Sequence, residues 1–176
     1  FAIGGIGATV AVIITENGGN FWVGLVGAVL AGGLTSAVIG IPALRVKGLL
    51  LGVATLAFAL LCTAWLFQQP WMLGGGRSTS RPDITIFDGD ARNYFYVALG
   101  GLVLAMIVVG NIGRGAFGRK LIAVRDNEDA ARSLTIDATT VKLQAYVIAG
   151  MVAGLGGAIY AQSFDRVSYD NLGVQL

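Results

Sequence analysis

Four apolar stretches punctuate this 176-residue chain: Phe21–Leu44, Gly48–Phe67, Tyr94–Ile112 and Leu143–Gln162. Each comes close to or exceeds the ~20 residues that a helix needs to cross a hydrocarbon core roughly 30 Å thick. Phe1–Ile14 is apolar but shorter. The sequence opens there with no methionine and no basic n-region, so the segment does not read as a signal peptide. It reads as a fifth helix cut by the start of an excerpt from a longer chain. In lipid, only helices or closed barrels satisfy every backbone polar group. The pattern therefore predicts an all-α, polytopic membrane helical bundle with about five transmembrane spans.

The connections between these stretches differ in character. Thr15–Asn20 is a short turn built on Glu16 and the breaker cluster Asn17-Gly18-Gly19-Asn20. Pro42 sits near the end of its segment, where it can stop or kink a helix cheaply. Arg45-Val46-Lys47 is a tight basic hinge. The loop 68–93 is long and polar, with Gly74-Gly75-Gly76, Pro82 and a short β-like run, Ile84-Thr85-Ile86-Phe87. Trp65, Trp71, Tyr94 and Tyr96 flank it at the depth of an aromatic belt. Loop 113–142 is mixed basic and acidic.

Cytoplasmic loops carry the excess of Lys and Arg. Placing the basic hinge inside puts Arg45, Lys47, Arg114, Arg119, Lys120, Arg125, Arg132 and Lys142 on that side. Only Arg77, Arg81, Arg92 and Arg166 remain outside. The alternation holds through all spans, with loop 68–93 external and loop 113–142 cytoplasmic.

Composition agrees. The chain is 55% hydrophobic and 12% charged, against roughly 25% charged in soluble domains. Its 27 glycines suit membrane helices, where glycine is more frequent than in soluble ones. A net charge of +2, with the cations beside apolar spans, gives nucleic-acid binding little support. With no histidine and one cysteine, Cys62 in an apolar run, most metal and nucleophile constellations are excluded.

Gly113-Arg-Gly115-Ala-Phe-Gly118 matches the dinucleotide fingerprint, but it follows a membrane span rather than a strand. It nearly spells a phosphate-binding loop too, yet Arg119-Lys120-Leu121 stands where Lys-Ser/Thr is needed. Both matches read as chance, and no nucleotide site is expected on this chain. Further on, Arg119–Val124 suits an interfacial helix. Asp126 or Asn127 can cap a second short helix, with Glu128 and Asp129 in its first turn. Asp126 and Asp129 have the spacing of a capping pair. Ala130, Ala131 and Leu134 offer a small apolar face, and Asp137 or Thr139 can begin the final long helix. That last span carries Ala149, Ala153, Gly157 and Ala161 four apart, with Gly150, Gly154 and Ala158 beside them. Small residues at this spacing let another helix approach closely. They fit ordinary packing or a moving, pathway-lining interface.

Three stretches together resemble the permease subunits of ABC importers for branched-chain amino acids, the LivM-like group. They are Ile41-Pro-Ala-Leu-Arg-Val-Lys-Gly-Leu-Leu-Leu-Gly-Val-Ala-Thr55-Leu-Ala-Phe58, Phe117-Gly-Arg-Lys-Leu-Ile-Ala-Val-Arg-Asp-Asn-Glu-Asp-Ala-Ala131, and Lys142 through Tyr160. Their order and spacing look like that family across essentially the whole sequence. The resemblance implies one transmembrane permease domain over 1–176, multi-pass in a bacterial or archaeal cytoplasmic (inner) membrane. It implies a non-catalytic subunit, with ATP and magnesium bound by partner ABC ATPase subunits, a second permease subunit and an external substrate-binding protein. It also implies an EAA-like loop, roughly E-A-A-x-x-x-G, that docks on the ATPase. Asp129-Ala130-Ala131 would fill its first three positions and Thr135 the glycine. The implied docking residues are Arg125, Asp126, Asn127, Glu128, Asp129, Ala130, Ala131 and Thr135. Thr for Gly puts the sharp turn after the helix in question.

The implied cargo is a branched-chain or other small apolar amino acid; related permeases carry urea or short amides. An ion-gradient-driven transporter or channel is the rival class. Such proteins usually place ionisable residues inside the membrane, and none of the four full spans has Asp, Glu, Lys or Arg in its interior. A structural or scaffolding membrane subunit, which would transport nothing, is a third class. Polar candidates within spans are few: Thr35, Ser36, Thr55, Thr63 and Gln144. Thr55 is the first to test for a ligand contact, against a hydroxyl bonded to its own helix. With Thr55, the packing or pathway set is Ala149, Ala153, Gly154 and Gly157.

Overall fold

A computed structural model describes residues 2–44, 49–69, 72 and 91–161. The basic hinge at 45–47, most of loop 68–93 with Trp71 and the Ile84–Phe87 run, and Arg166 lie outside the described residues. Every regular element within them is helical: α1 (Ala2–Glu16), α2 (Phe21–Ala43), α3 (Leu49–Leu61) continued by a π-helical turn at Cys62–Leu66, α4 (Ala91–Arg114), α5 (Ala116–Asp126), α6 (Glu128–Ser133) and α7 (Ala138–Ala161). The all-α fold that the apolar pattern predicts is the fold observed. Phe21–Ala43, Tyr94–Arg114 and Ala138–Ala161 are long and apolar enough to cross a membrane, at 23, 21 and 24 residues. Ala2–Glu16 and Gly52–Leu66 are apolar and shorter.

The turn between α1 and α2 shows how its breaker cluster works. Gly19 N–H donates to Ile14 O (2.9 Å) and Gly18 N–H to Thr15 O (3.1 Å). That crossed pair is a Schellman motif, which needs a left-handed residue just past the helix. Gly18 supplies it at φ 80°. At the other end of α2, Pro42 costs little because it lies in the last turn, where Leu44 N–H still reaches Gly40 O (2.9 Å).

The core is a three-helix cluster of α1, α2 and α7. Lipid tails are as apolar as leucine, so no hydrophobic force pulls these helices together; close van der Waals contact must. Small residues make it possible. Ala11, Ala28 and Ala158 meet at the centre. A Cβ on Gly154 would collide with the Ala28 carbonyl, and one on Gly157 with the Gly4 carbonyl. A second cluster sits at one end of this bundle, where Phe67, fully buried, packs with Ala8, Val12, Cys62 and Ala161. The π-helical turn, closed by Phe67 N–H to Cys62 O (2.9 Å), sets Phe67 there.

α4 touches the cluster lightly. Tyr94 OH donates to Ile159 O, and Gly101 lies against the Ile159 side chain. Phe95, Tyr96, Leu102, Met106 and Ile107 are exposed, as a surface facing lipid or another membrane helix can be.

Candidate functional site: the α5–α6 elbow

α4 ends at Arg114, and Gly115 N-caps α5 in an extended conformation (φ −77°, ψ 178°). The turn is tight enough that a Cβ on Gly118 would meet the carbonyls of Ile112 and Gly113. The glycine triplet that mimics a dinucleotide fingerprint is thus part of a helix–helix elbow. One face of α5 turns inward: Phe117, Leu121 and Val124 pack towards Ala131, Ala138 and Val141, with Ile136 beside them. Arg119, Lys120 and Ile122 lie exposed on the other.

Of the two caps that the sequence offers for α6, Asn127 is the one used. Its Oδ1 accepts from the N–H groups of Asp129 (3.1 Å) and Ala130 (3.0 Å). Glu128 and Asp129 then occupy the first turn, where carboxylates suit the positive end of the helix. Asp126 instead pairs with neighbouring Arg125 (3.1 Å), on side chains 61% and 77% exposed. Exposed pairs of this kind contribute ~0–1 kcal/mol.

The sharp turn after α6 is present despite threonine. Thr135 is left-handed at φ 62°, the only non-glycine residue with positive φ among those described. Ile136 N–H donates to Ala131 O (3.1 Å) and Thr135 N–H to Arg132 O (3.1 Å). This is the Schellman motif of α1 again, with Thr135 where Gly18 stands. Its usual apolar contact is also here, between Ile136 and Ala131.

Asp137 opens α7. Its Oδ1 accepts from Thr139 N–H (3.0 Å) and its Oδ2 from the Thr140 hydroxyl (2.5 Å). The Thr140 hydroxyl chiefly, then the Thr140 and Thr139 amides and the Arg132 charge, hold this exposed carboxyl below its ordinary range. Five residues into α7, Lys142 reaches back to α6: its Nζ donates to Glu128 Oε2 (2.5 Å), while Glu128 Oε1 accepts from Arg132 Nη2 (2.8 Å).

These contacts sort the eight residues expected at a docking surface. Arg125, Asp126, Asn127, Asp129, Ala130 and Thr135 are exposed. Ala131 turns inward, 2% exposed, and Glu128 is drawn towards α7. Leu134, 69% exposed, forms the outward apolar part of the face with Ala130. The link from Glu128 to Lys142 crosses a turn, and no periodicity in the sequence announces it.

The pathway residues are spread out. Thr55 Oγ1 donates to Gly52 O of its own helix (2.9 Å). It borders an apolar crevice of about 340 Å³ with Val38, Ile39, Pro42 and Phe58. Gly154 is buried and Gly157 half-buried at the α1–α2–α7 contact, whereas Ala149 and Ala153 are exposed on α7. Ser36, absent from that set, is buried against Gly150, with no hydrogen-bond partner for its hydroxyl among the described residues.

Long apolar helices packed through small residues, joined by a charged and capped helical elbow, define a polytopic α-helical membrane protein. Comparison with known proteins says which kind. The family described as the permease component of branched-chain amino acid transport systems matches residues 2–176. The chain belongs to that family. LivM, the high-affinity branched-chain amino acid transport system permease protein of Salmonella typhimurium, is 29% identical over 92% of this chain and 44% of its own length. A probable branched-chain amino acid transport permease LivM of Methanocaldococcus jannaschii is 26% identical over 80% and 44%. The autoinducer 2 import permease LsrC of Klebsiella pneumoniae is 40% identical over a shorter stretch, 36% of this chain and 19% of its own. The chain thus spans under half the length of the LivM relatives that it matches. No solved structure matches it.

Proposed function

We propose that this chain is a membrane permease subunit of an ATP-driven ABC importer, translocating branched-chain or other small apolar amino acids. In this reading it is not itself an enzyme. ABC ATPase subunits bind ATP and magnesium and hydrolyse the nucleotide. A second permease subunit completes the pathway, and a binding protein delivers substrate from outside. The setting is the cytoplasmic membrane of a bacterium or archaeon. Family membership and the LivM relatives support this reading; the match to LsrC keeps the cargo class broader than leucine-like amino acids.

One observation carries the mechanism. α6 is capped at both ends, shows Asp129, Ala130 and Leu134 outward, and roots its inner side in α7. A soluble ATPase gripping that outer face pushes on a short rigid helix rather than a slack linker. α7 then carries the displacement into the three-helix cluster. Alternating access needs such a two-state element biased from one end.

Asp129→Lys tests the docking. Asp129 is exposed and none of its side-chain bonds supports the fold among the described residues, so insertion should survive. Co-purification of the ATPase subunits should fall about tenfold or more, the equivalent of ~1.4 kcal/mol. Undiminished co-purification with full ATP-driven uptake removes α6 from the interface.

A further inference from the structure

We propose that Glu128 is a positioning residue rather than a docking contact, and that its ion pair with Lys142 is the strut passing a displacement of α6 to α7. The inference rests on the reading of α6 as the docking helix. Both carboxylate oxygens are engaged within the chain: Oε1 with Arg132 on α6 itself, and Oε2 with Lys142, fourteen residues further on. Asp129, next along the helix, is exposed.

The surroundings show why a strut is needed. Behind α6 the apolar contact with α7 is made by Ala131, Ala138 and Val141. Hydrophobic contact is non-directional, and two alanines interlock poorly, so this surface resists compression but permits sliding. A charge-assisted hydrogen bond is directional and short, and here it ties α6 to α7 at 2.5 Å. The pair is partly shielded, with side chains 28% and 36% exposed, so solvent and salt screen it less than an open surface pair. The caps at Asn127 and at the Thr135 turn oppose unwinding of α6. Beyond Lys142, α7 is locked to α1 and α2 through Gly150, Gly154 and Gly157. A shift entering at Glu128 therefore reaches three membrane helices together.

The test uses the permease assembled with its ATPase subunits and binding protein in proteoliposomes, with radiolabelled leucine as the probe. Two quantities are read: ATPase subunits retained, and leucine taken up per ATP hydrolysed. Glu128→Gln and Lys142→Met should retain the subunits while uptake per ATP falls about fivefold, the low end of allosteric coupling factors. Arg132→Gln, which spares the pair between α6 and α7, should leave the ratio unchanged. The inverted set Glu128→Lys, Arg132→Glu and Lys142→Glu re-forms the pair with reversed polarity and should restore it. A ratio unchanged in Glu128→Gln and Lys142→Met overturns the strut and leaves the docking reading standing. Subunit loss in Lys142→Met overturns it too, since the pair would then be shaping the docking face. Failure of the inverted set to restore coupling also sinks it. Failure of the docking reading appears separately, as ATPase subunits retained by Asp129→Lys.

Discussion

Replacing Thr135 by glycine should tighten the end of α6. At φ 62° an L-residue brings its Cβ close to the following carbonyl, at a cost of ~1–2 kcal/mol, and β-branched residues are poorly suited to this region. Glycine removes the clash but adds freedom to the unfolded chain, worth ~0.5–1 kcal/mol in the opposite direction. The bond lost from Thr135 Oγ1 to Leu134 O is exposed to water and contributes little. The net gain is then about 0.5–1 kcal/mol, taking the upper part of the steric range for a β-branched residue. That gain is local to the turn held by Ile136 N–H and Thr135 N–H. Hydrogen exchange, read by mass spectrometry on peptides covering residues 128–141, reports the opening of this turn. Exchange at Ile136 should slow by about twofold to fivefold, since 1.4 kcal/mol is a factor of ten. Thr135→Asn should move the same way by less, because asparagine tolerates left-handed backbone. Thr135→Val keeps the branched side chain and should change little. Faster or unchanged exchange in the glycine variant would refute a left-handed, strained Thr135.

Two further outcomes follow from packing and charge. Gly7→Ala puts a Cβ 2.7 Å from Gly154 Cα and 3.2 Å from Ala28 O, atoms of two other backbones, so the cluster must part by about 1 Å. Overpacking of this sort costs ~1–3 kcal/mol and should lower the thermal midpoint in detergent. Gly156→Ala, with nothing within 4 Å of the added atom, should raise it through helix propensity; the reverse order would contradict the α1–α2–α7 packing. Asp137 has a lowered carboxyl pKa in the folded chain, so its contribution is fully present above the unfolded value near 3.8 and is lost as pH falls through the lower folded value. Protection of the Thr139 and Thr140 amides should accordingly hold down to pH ~4 and fail below it. Asp137→Asn should abolish that acid step.

Much of this architecture is legible in the order of residues because lipid leaves few options. A run such as Phe21–Ala43 must be helical, and the capping chemistry of Asn127, Glu128 and Asp129 fixes where α6 begins within a residue. The Asn17-Gly18-Gly19 turn is equally plain, since glycine appears where a left-handed residue is needed. Thr135 is less legible, because threonine at that position argues against the turn that the chain makes. What holds the turn is tertiary: Ile136 packs against the buried cluster of Val124, Ala131, Ala138 and Val141. Helix faces were similarly ambiguous on α7, where small residues recur at two adjacent registers. The choice of Gly150, Gly154 and Ala158 as the buried row comes from α1 and α2, not from α7 itself.

The same distinction governs the elbow. Nearest-neighbour chemistry decides how each short helix begins and ends, so the cap and first turn of α6 are legible in the sequence. Which of the two carboxylates is held within the chain depends on a contact fourteen residues away, between Glu128 and Lys142. Two adjacent carboxylates of nearly identical local context thus differ in setting, Asp129 exposed and Glu128 tied to α7. A helix meant only to be gripped would need the first alone. In the mechanism we propose, the second gives the grip a consequence, because it converts a surface contact into a constraint on α7 and on the two helices packed against it.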